Sequence, residues 1–198
     1  MSLQIAIVGA GPSGCYLAQA LGKLRDDLTI DLIDRLPVPY GLVRYGVAPD
    51  HQGTKAVVRQ FARLFERVGN LRVGDPEHGA DLTLAELREL YDVVVLATGL
   101  SADRKLGIPG EELDGVHRAG ALTRHWNDHP DDAGSVPALG EKVVIVGNGN
   151  VAIDILRILA KETHEFHGSD FADHHMDRLA ESRIRAIDIV GRSPAAEA

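Results

Sequence analysis

The sequence predicts an α/β fold built as two units in tandem, each a parallel sheet with flanking helices, the second unit incomplete. Two apolar runs rich in Val and Ile, Leu3–Val8 and Lys142–Val146, each lead straight into a glycine turn and then into apolar residues at helical spacing. A second strand at Leu28–Asp34 closes the first of these into a βαβ unit of about the usual 30 residues. The later unit has only the strands Lys142–Val146 and Ala186–Val190, where a doubly wound half normally has about three or more.

Taken in order, the strand Leu3–Val8 reads as covered on both faces. The helix after Pro12 and Ser13 carries Tyr16, Leu17, Ala20, Leu21 and Leu24 as its apolar set. The stretch Leu36–His51, with three prolines and two internal glycines, predicts an ordered loop without a regular element. Gly53–Val68 predicts one helix with Val57, Phe61, Leu64, Phe65 and Val68 on one face, and Leu71–Val73 a short strand. Leu82–Tyr91 predicts a short helix with a capping box from Thr83 and Glu86, followed by a buried strand at Val93–Ala97. From Leu100 to Gly140 turn signals dominate, which reads as a crossover. The helix after Gly149 runs through Leu159, another spans Phe171–Ser182, and the strand Ala186–Val190 follows.

Composition narrows the function. The chain has 198 residues, 44% hydrophobic and 25% charged, with a formal charge of −8. That is a globular composition, and its acidic balance argues against nucleic-acid binding. The single Cys15 excludes an intrachain disulfide, a Cys-x-x-Cys pair and a thiolate-rich metal site, so redox chemistry would require a bound cofactor. The first residues lack signal-peptide features and no apolar run approaches membrane-spanning length, so a cytoplasmic location without membrane insertion is expected.

Two fingerprints carry the chemistry and identify the units as Rossmann-like dinucleotide-binding folds. In Gly9-x-Gly11-x-x-Gly14 the first glycine permits the tight turn, the second lets a pyrophosphate approach the backbone, and the third lets helix and strand pack. Asp34, twenty residues beyond Gly14, is suited to accept hydrogen bonds from a ribose diol. The second fingerprint is Gly147-Asn148-Gly149-Asn150-Val151-Ala152, with Ala152 in the packing role. At the end of the next strand Arg192 stands where an NAD site presents a carboxylate, which favours a 2′-phosphate and hence NADP. Tight turns without a ligand, and a solvated Arg192, are the plainer alternatives.

The block LPVPYGLVRYGVAPDH, with YDVVVLATG, GIPGEELDGV, Trp126-Asn127 followed by HPD, and VVIVGNGNVAID, resembles the adrenodoxin reductase family, including bacterial ferredoxin–NADP reductases of that type. The resemblance covers essentially the whole chain. It implies a flavoprotein with FAD on a first domain (1–104) and NADPH on a second, partial one (105–198, crossover included), passing electrons to a ferredoxin-like iron–sulfur protein. Carried over by position, FAD contacts fall at Ser13, Asp34, Leu42 and Val73, and NADP contacts at Gly147, Asn148, Gly149, Asn150 and Arg192. His51 and Asp154 match family residues near flavin and nicotinamide, with a tuning role implied because hydride transfer belongs to the cofactors. From the residues alone, His51 also reads as a turn histidine capping a helix, and Asp154 as an exposed helix residue.

The chain departs from the family pattern in three ways. Asp34 replaces the more usual glutamate, and Ser193 replaces the second of a paired arginine, which weakens the NADP preference. The family continues for roughly as long again, so a missing carboxy-terminal half, self-association to cover bare surfaces, or an inactive nucleotide-binding fragment are further expectations. Among weaker signals, Lys55, Arg59, Arg63 and Arg67 form a basic stripe that suits an acidic ferredoxin or is simply a solvated helix face. His164, His167, His174 and His175 straddle a Gly-Ser-Asp turn without a thiolate and read as loop histidines, so no metal site is expected. Cys15 reads as a packing residue.

Overall fold

The computed structural model describes residues 2–67, 71–73, 82–100, 102–132, 137 and 139–192. The chain divides into two units, one of Met1–Arg44 with Gly53–Ser101 and one of Tyr45–Gln52 with Ala102–Ala198. The proline-rich block is thus shared, its first part belonging to one unit and its last residues to the other.

In the first unit β1 (Leu3–Val8), α1 (Pro12–Leu24) and β2 (Leu28–Asp34) form the predicted βαβ. The short helices α2 (Leu42–Tyr45) and α3 (Gln52–Lys55) follow, then α4 (Val58–Arg67), β3 (Leu71–Val73), α5 (Leu84–Leu90) and β4 (Val93–Leu96). The four strands make a parallel sheet in the order β3-β2-β1-β4, with Leu3 paired to Leu28 and Ile5 to Val93. Ile5, Ile7, Ile30, Leu32, Cys15, Ala18, Phe61 and Leu64 fill its core. The inward face of α1 differs from the expected one: Gly14, Cys15 and Ala18 are buried, whereas Tyr16 and Leu24 are exposed. Gly14 has to lie against the end of β1, and that requirement rotates the helix.

Four further expectations are corrected in this unit. The proline-rich block does contain a regular element, since Gly41 turns the chain into α2. The helix expected over 53–68 is interrupted at Ala56 and Val57. Lys55, expected on an exposed basic stripe, is buried and its Nζ donates to the Arg44 carbonyl at 3.1 Å, so the break lets this side chain turn inward. Of the stripe, Arg59 and Arg63 are exposed, while the Arg67 side chain lies outside the described residues. Finally β4 is half exposed rather than buried, with Val93 at 40% and Leu96 at 61%, because it is the last strand of its sheet.

The second unit contains α6 (Ala119–Trp126), a 3₁₀ turn at Pro130–Asp132, β5 (Lys142–Val146), α7 (Asn150–Ala160), a 3₁₀ turn at Thr163–Phe166, α8 (Asp173–Ala180) and β6 (Ala186–Val190). The expected crossover therefore includes a helix. The Asp103 carboxylate caps α6 from a distance, accepting from the amides of Gly120 at 3.0 Å and Ala121 at 3.2 Å. The strands β5 and β6 pair in parallel from Lys142↔Ala186 to Val146↔Val190. One face packs Ile145 against Ile155, Ile158 and Leu159 of α7, and Trp126, Phe166 and Phe171 complete that core. Ala48 joins the same core, and the Pro49 carbonyl accepts from the Asp170 amide at 2.9 Å, which explains why residues 45–52 belong here. No described helix is long and apolar enough to cross a membrane.

Candidate functional site

The first glycine turn is built to have no side chains. Gly9 sits at φ +114°, and a Cβ there would come within 2.3 Å of the Ala97 carbonyl oxygen. A Cβ on Gly14 would lie 2.0 Å from the Gly9 carbonyl oxygen, so β1 and α1 approach each other only because both residues are glycine. Gly11 faces the backbone of Gly41, and the Tyr40 amide donates to the Ala10 carbonyl at 2.8 Å, seating the proline-rich block on the turn. Tyr40 holds φ +90°, a costly setting for a non-glycine residue, while its ring packs against Phe61 and Phe65.

Asp34 ties the same region together. One carboxylate oxygen accepts from the Ala10 amide at 2.8 Å and the other from the Leu36 amide at 3.0 Å. Each oxygen keeps a second lone pair for a further donor. Val73 pairs with Asp34 across the sheet, although its side chain lies outside the described residues. Ser13 is exposed in the first turn of α1, and Leu42 is 66% exposed at the start of α2. The helix opens on Pro12 with no side-chain cap, which leaves its first amides to an anion. Gly9, Gly11, Ser13, Gly14 and Asp34 are thus brought together, and the bare backbone cradle fits the diphosphate and ribose of a dinucleotide. Cys15 is buried beneath it; burial first, then the Asp34 charge, pushes the thiol up to about 12, so it is a packing residue.

In the second unit, Gly147 at φ +117° donates its amide to the Val190 carbonyl at 2.8 Å, and Gly149 starts α7 without a side-chain cap. A Cβ on Gly147 or Gly149 would meet nothing within 4 Å, so this turn is open where the first is crowded. Asn148 lies against Gly191, whose Cβ would come 3.1 Å from the amide nitrogen Nδ2. Asn150 begins α7 and Arg192 is exposed two residues after β6. Ser193 lies outside the described residues.

A third group joins the two remaining candidates. His51 Nε2 is 3.2 Å from Asp154 Oδ1, and Arg157 Nη2 donates to the same carboxylate oxygen at 2.9 Å. Arg157 also donates to Asp50, which accepts from Lys161 Nζ at 2.7 Å. Burial resists ionisation of Asp50, but the hydrogen bonds from Lys161 and Arg157 outweigh it and hold the carboxyl below its ordinary range. Burial likewise works against the Arg157 charge, and Asp154 and Asp50 overcome it. The buried Asp50 Oδ1 has no hydrogen-bond partner among the described residues. Asp50, Arg157 and Lys161 escaped the sequence reading. The spacing of Asp154 and Arg157 along one face of α7, with Lys161 just past its end, was the available signal.

Residues 3–188 match the family described as pyridine nucleotide-disulphide oxidoreductase. The chain is 50% identical over 194 residues to cindoxin reductase of Citrobacter braakii, covering 98% of this chain and 42% of that protein. It is 45% identical over 192 residues to the mitochondrial NADPH:adrenodoxin oxidoreductase of Arabidopsis thaliana, covering 96% and 40% respectively. The structure of Mycobacterium tuberculosis FprA in complex with NADPH superposes with a TM-score of 0.87 at 40% identity, over 97% of this chain and 44% of that one. The chain therefore spans roughly two fifths of the length of these relatives. With parallel sheets, two glycine turns and a match along nearly its whole length, the chain belongs to the pyridine nucleotide-disulphide oxidoreductase family, where it is similar to the amino-terminal portion of the adrenodoxin reductase type.

Proposed function

We propose that the chain supplies the FAD- and NADPH-binding parts of an oxidoreductase that moves electrons between NADPH and a ferredoxin-like iron–sulfur protein. The observation that carries this reading is the pair of bare glycine turns, each between a parallel strand and a helix N-terminus. When bound, a flavin and a nicotinamide supply the hydride and single-electron chemistry. The chain's own residues bind and orient. The first turn of α1 faces the FAD diphosphate with its amides, Ser13 stands beside them, and Asp34 accepts from the ribose. Leu42 and the Val73 backbone line the same end of the sheet. Gly147, Asn148, Gly149 and Asn150 take the NADP diphosphate, and Arg192 its 2′-phosphate. His51 and Asp154 act as tuning residues, a role supported by their 3.2 Å approach. Residues 1–104 and 105–198 serve FAD and NADP respectively, with the loop 45–52 lent to the second unit. A cytoplasmic setting suits an acidic chain with one cysteine.

A second reading, a nucleotide-binding module without turnover of its own, is favoured by the outward apolar side chains of β5 and β6. An absorbance spectrum after incubation with FAD, then anaerobic titration with NADPH, separates the two. A flavin band that bleaches on titration supports the oxidoreductase; a band that stays, or a colourless protein, supports the module. Arg192→Ala is expected to raise the dissociation constant for NADPH by about tenfold and leave NADH nearly unchanged. An equal effect on both nucleotides overturns the phosphate clamp.

A further inference from the structure

Two of the histidines that read as loop residues in the sequence lie in α8, and one of them is buried. Asp128, just past the end of α6, faces both. Its Oδ1 is 2.9 Å from His175 Nε2 and 3.2 Å from His174 Nε2. The three ligand atoms lie within 4.8 Å of one another. Ligands about 2.0–2.1 Å from a tetrahedral zinc are separated by about 3.3 Å, close to the two distances from Asp128 Oδ1 to the imidazole nitrogens. We propose that Asp128, His174 and His175 form a binding site for a divalent first-row cation, zinc foremost, that clasps α8 to the end of α6.

Several independent observations support the site. The two imidazole rings have centroids 4.0 Å apart, and both approach the same Asp128 carboxylate oxygen. His175 is 5% exposed, so its ring is held in place by the packing around it. A third imidazole, His125, packs against His175 with centroids 4.3 Å apart. It is 5% exposed, and its Nδ1 has no hydrogen-bond partner among the described residues. Asp128 holds φ +55°, a sparsely populated setting that aims its carboxylate at α8. Two nitrogens and one oxygen suit zinc over calcium or magnesium. Three protein ligands leave the remaining coordination position to solvent or to a nearby fourth group.

The test uses the 198-residue chain after chelator treatment, with Co²⁺ as a spectroscopic probe and Zn²⁺ as the stabilising ion. One Co²⁺ per chain should give visible d–d bands that Zn²⁺ abolishes, and Zn²⁺ should raise the melting temperature. Asp128→Asn and His174→Ala should weaken binding by at least the roughly tenfold to hundredfold that loss of a supporting partner costs. Asp128 and His174 are largely exposed, so both variants should keep the metal-free fold, as circular dichroism would verify. His164→Ala and His167→Ala, at exposed histidines outside the cluster, should bind as the parent does. No saturable binding, or binding that survives Asp128→Asn and His174→Ala unchanged, overturns the proposal.

Discussion

Gly14 and Gly149 occupy their turns for different reasons, and substitution separates them. A methyl on Gly14 would collide with a backbone oxygen 2.0 Å away that has no room to move. Gly14→Ala should therefore destabilise the first unit by about 3 kcal/mol, read from chemical denaturation. Gly149 has φ −80° and a Cβ there would meet nothing within 4 Å, so Gly149→Ala should cost no more than about 1 kcal/mol. Its methyl would still stand in the path of a diphosphate, and NADPH binding should weaken by about tenfold. Equal stability losses in the two variants would contradict this division. Asp50 offers a second test, through acid. Its folded pKa is depressed below the unfolded value near 3.9, so its contribution is complete above about pH 4 and disappears as pH falls through the folded value. Arg157 and Lys161 are partly exposed, at 29% and 23%, which puts the loss in Asp50→Asn at about 2 kcal/mol at pH 7, below the roughly 3–5 of a fully buried pair. The gap between variant and parent should close towards pH 3 in urea unfolding; a constant gap would assign the effect to shape rather than charge.

Among the elements, α5 is held by a local device that can be removed singly. Thr83 Oγ1 accepts from the Glu86 amide at 3.2 Å, and the Glu86 carboxylate accepts from the Thr83 amide at 2.7 Å. Thr83→Ala should cost about 1 kcal/mol, with faster hydrogen exchange confined to residues 84–87 as the local readout. This cap was legible in the sequence because both partners lie within four residues. The described strands were legible for a similar reason, since short runs rich in Val, Ile and Leu are their own signal, and β1, β3, β5 and β6 each run directly into a glycine. The helix α6 was not, because its cap, Asp103, lies 17 residues before Gly120 and no local pattern announces it. The inward face of α1 was misread because the packing demand of Gly14 overrides the apolar stripe that includes Tyr16 and Leu24. The glycine turns were readable as a motif, whereas the partner of Arg157, 107 residues away in sequence, became visible only in the folded unit.

On the scale of the whole molecule, the sheets leave apolar side chains facing outward that burial could reward. In β5 and β6, Val143, Ile145, Ile187 and Ile189 face the helices, while Val144 and Val146, at 54% and 66%, and Val190, at 51%, face outward. Burying a valine side chain is worth about 1.5–3 kcal/mol, so a few such residues outweigh part of the entropy lost on association. The net charge of −8 opposes contact between copies, and that opposition is screened by salt. The purified chain should therefore self-associate, and more strongly at 0.5 M than at 0.05 M salt, an order that a contact made of ion pairs would reverse. Light scattering coupled to gel filtration reads the mass directly. The double substitution of Val144 and Val190 by threonine keeps β-branching on the outward face while adding hydroxyls, so it should shift the population towards monomer and change the unfolding midpoint by less than about 1 kcal/mol equivalent. A parent chain that is monomeric at both salt concentrations, or a double variant that associates as strongly as the parent, would remove this face as the driving surface.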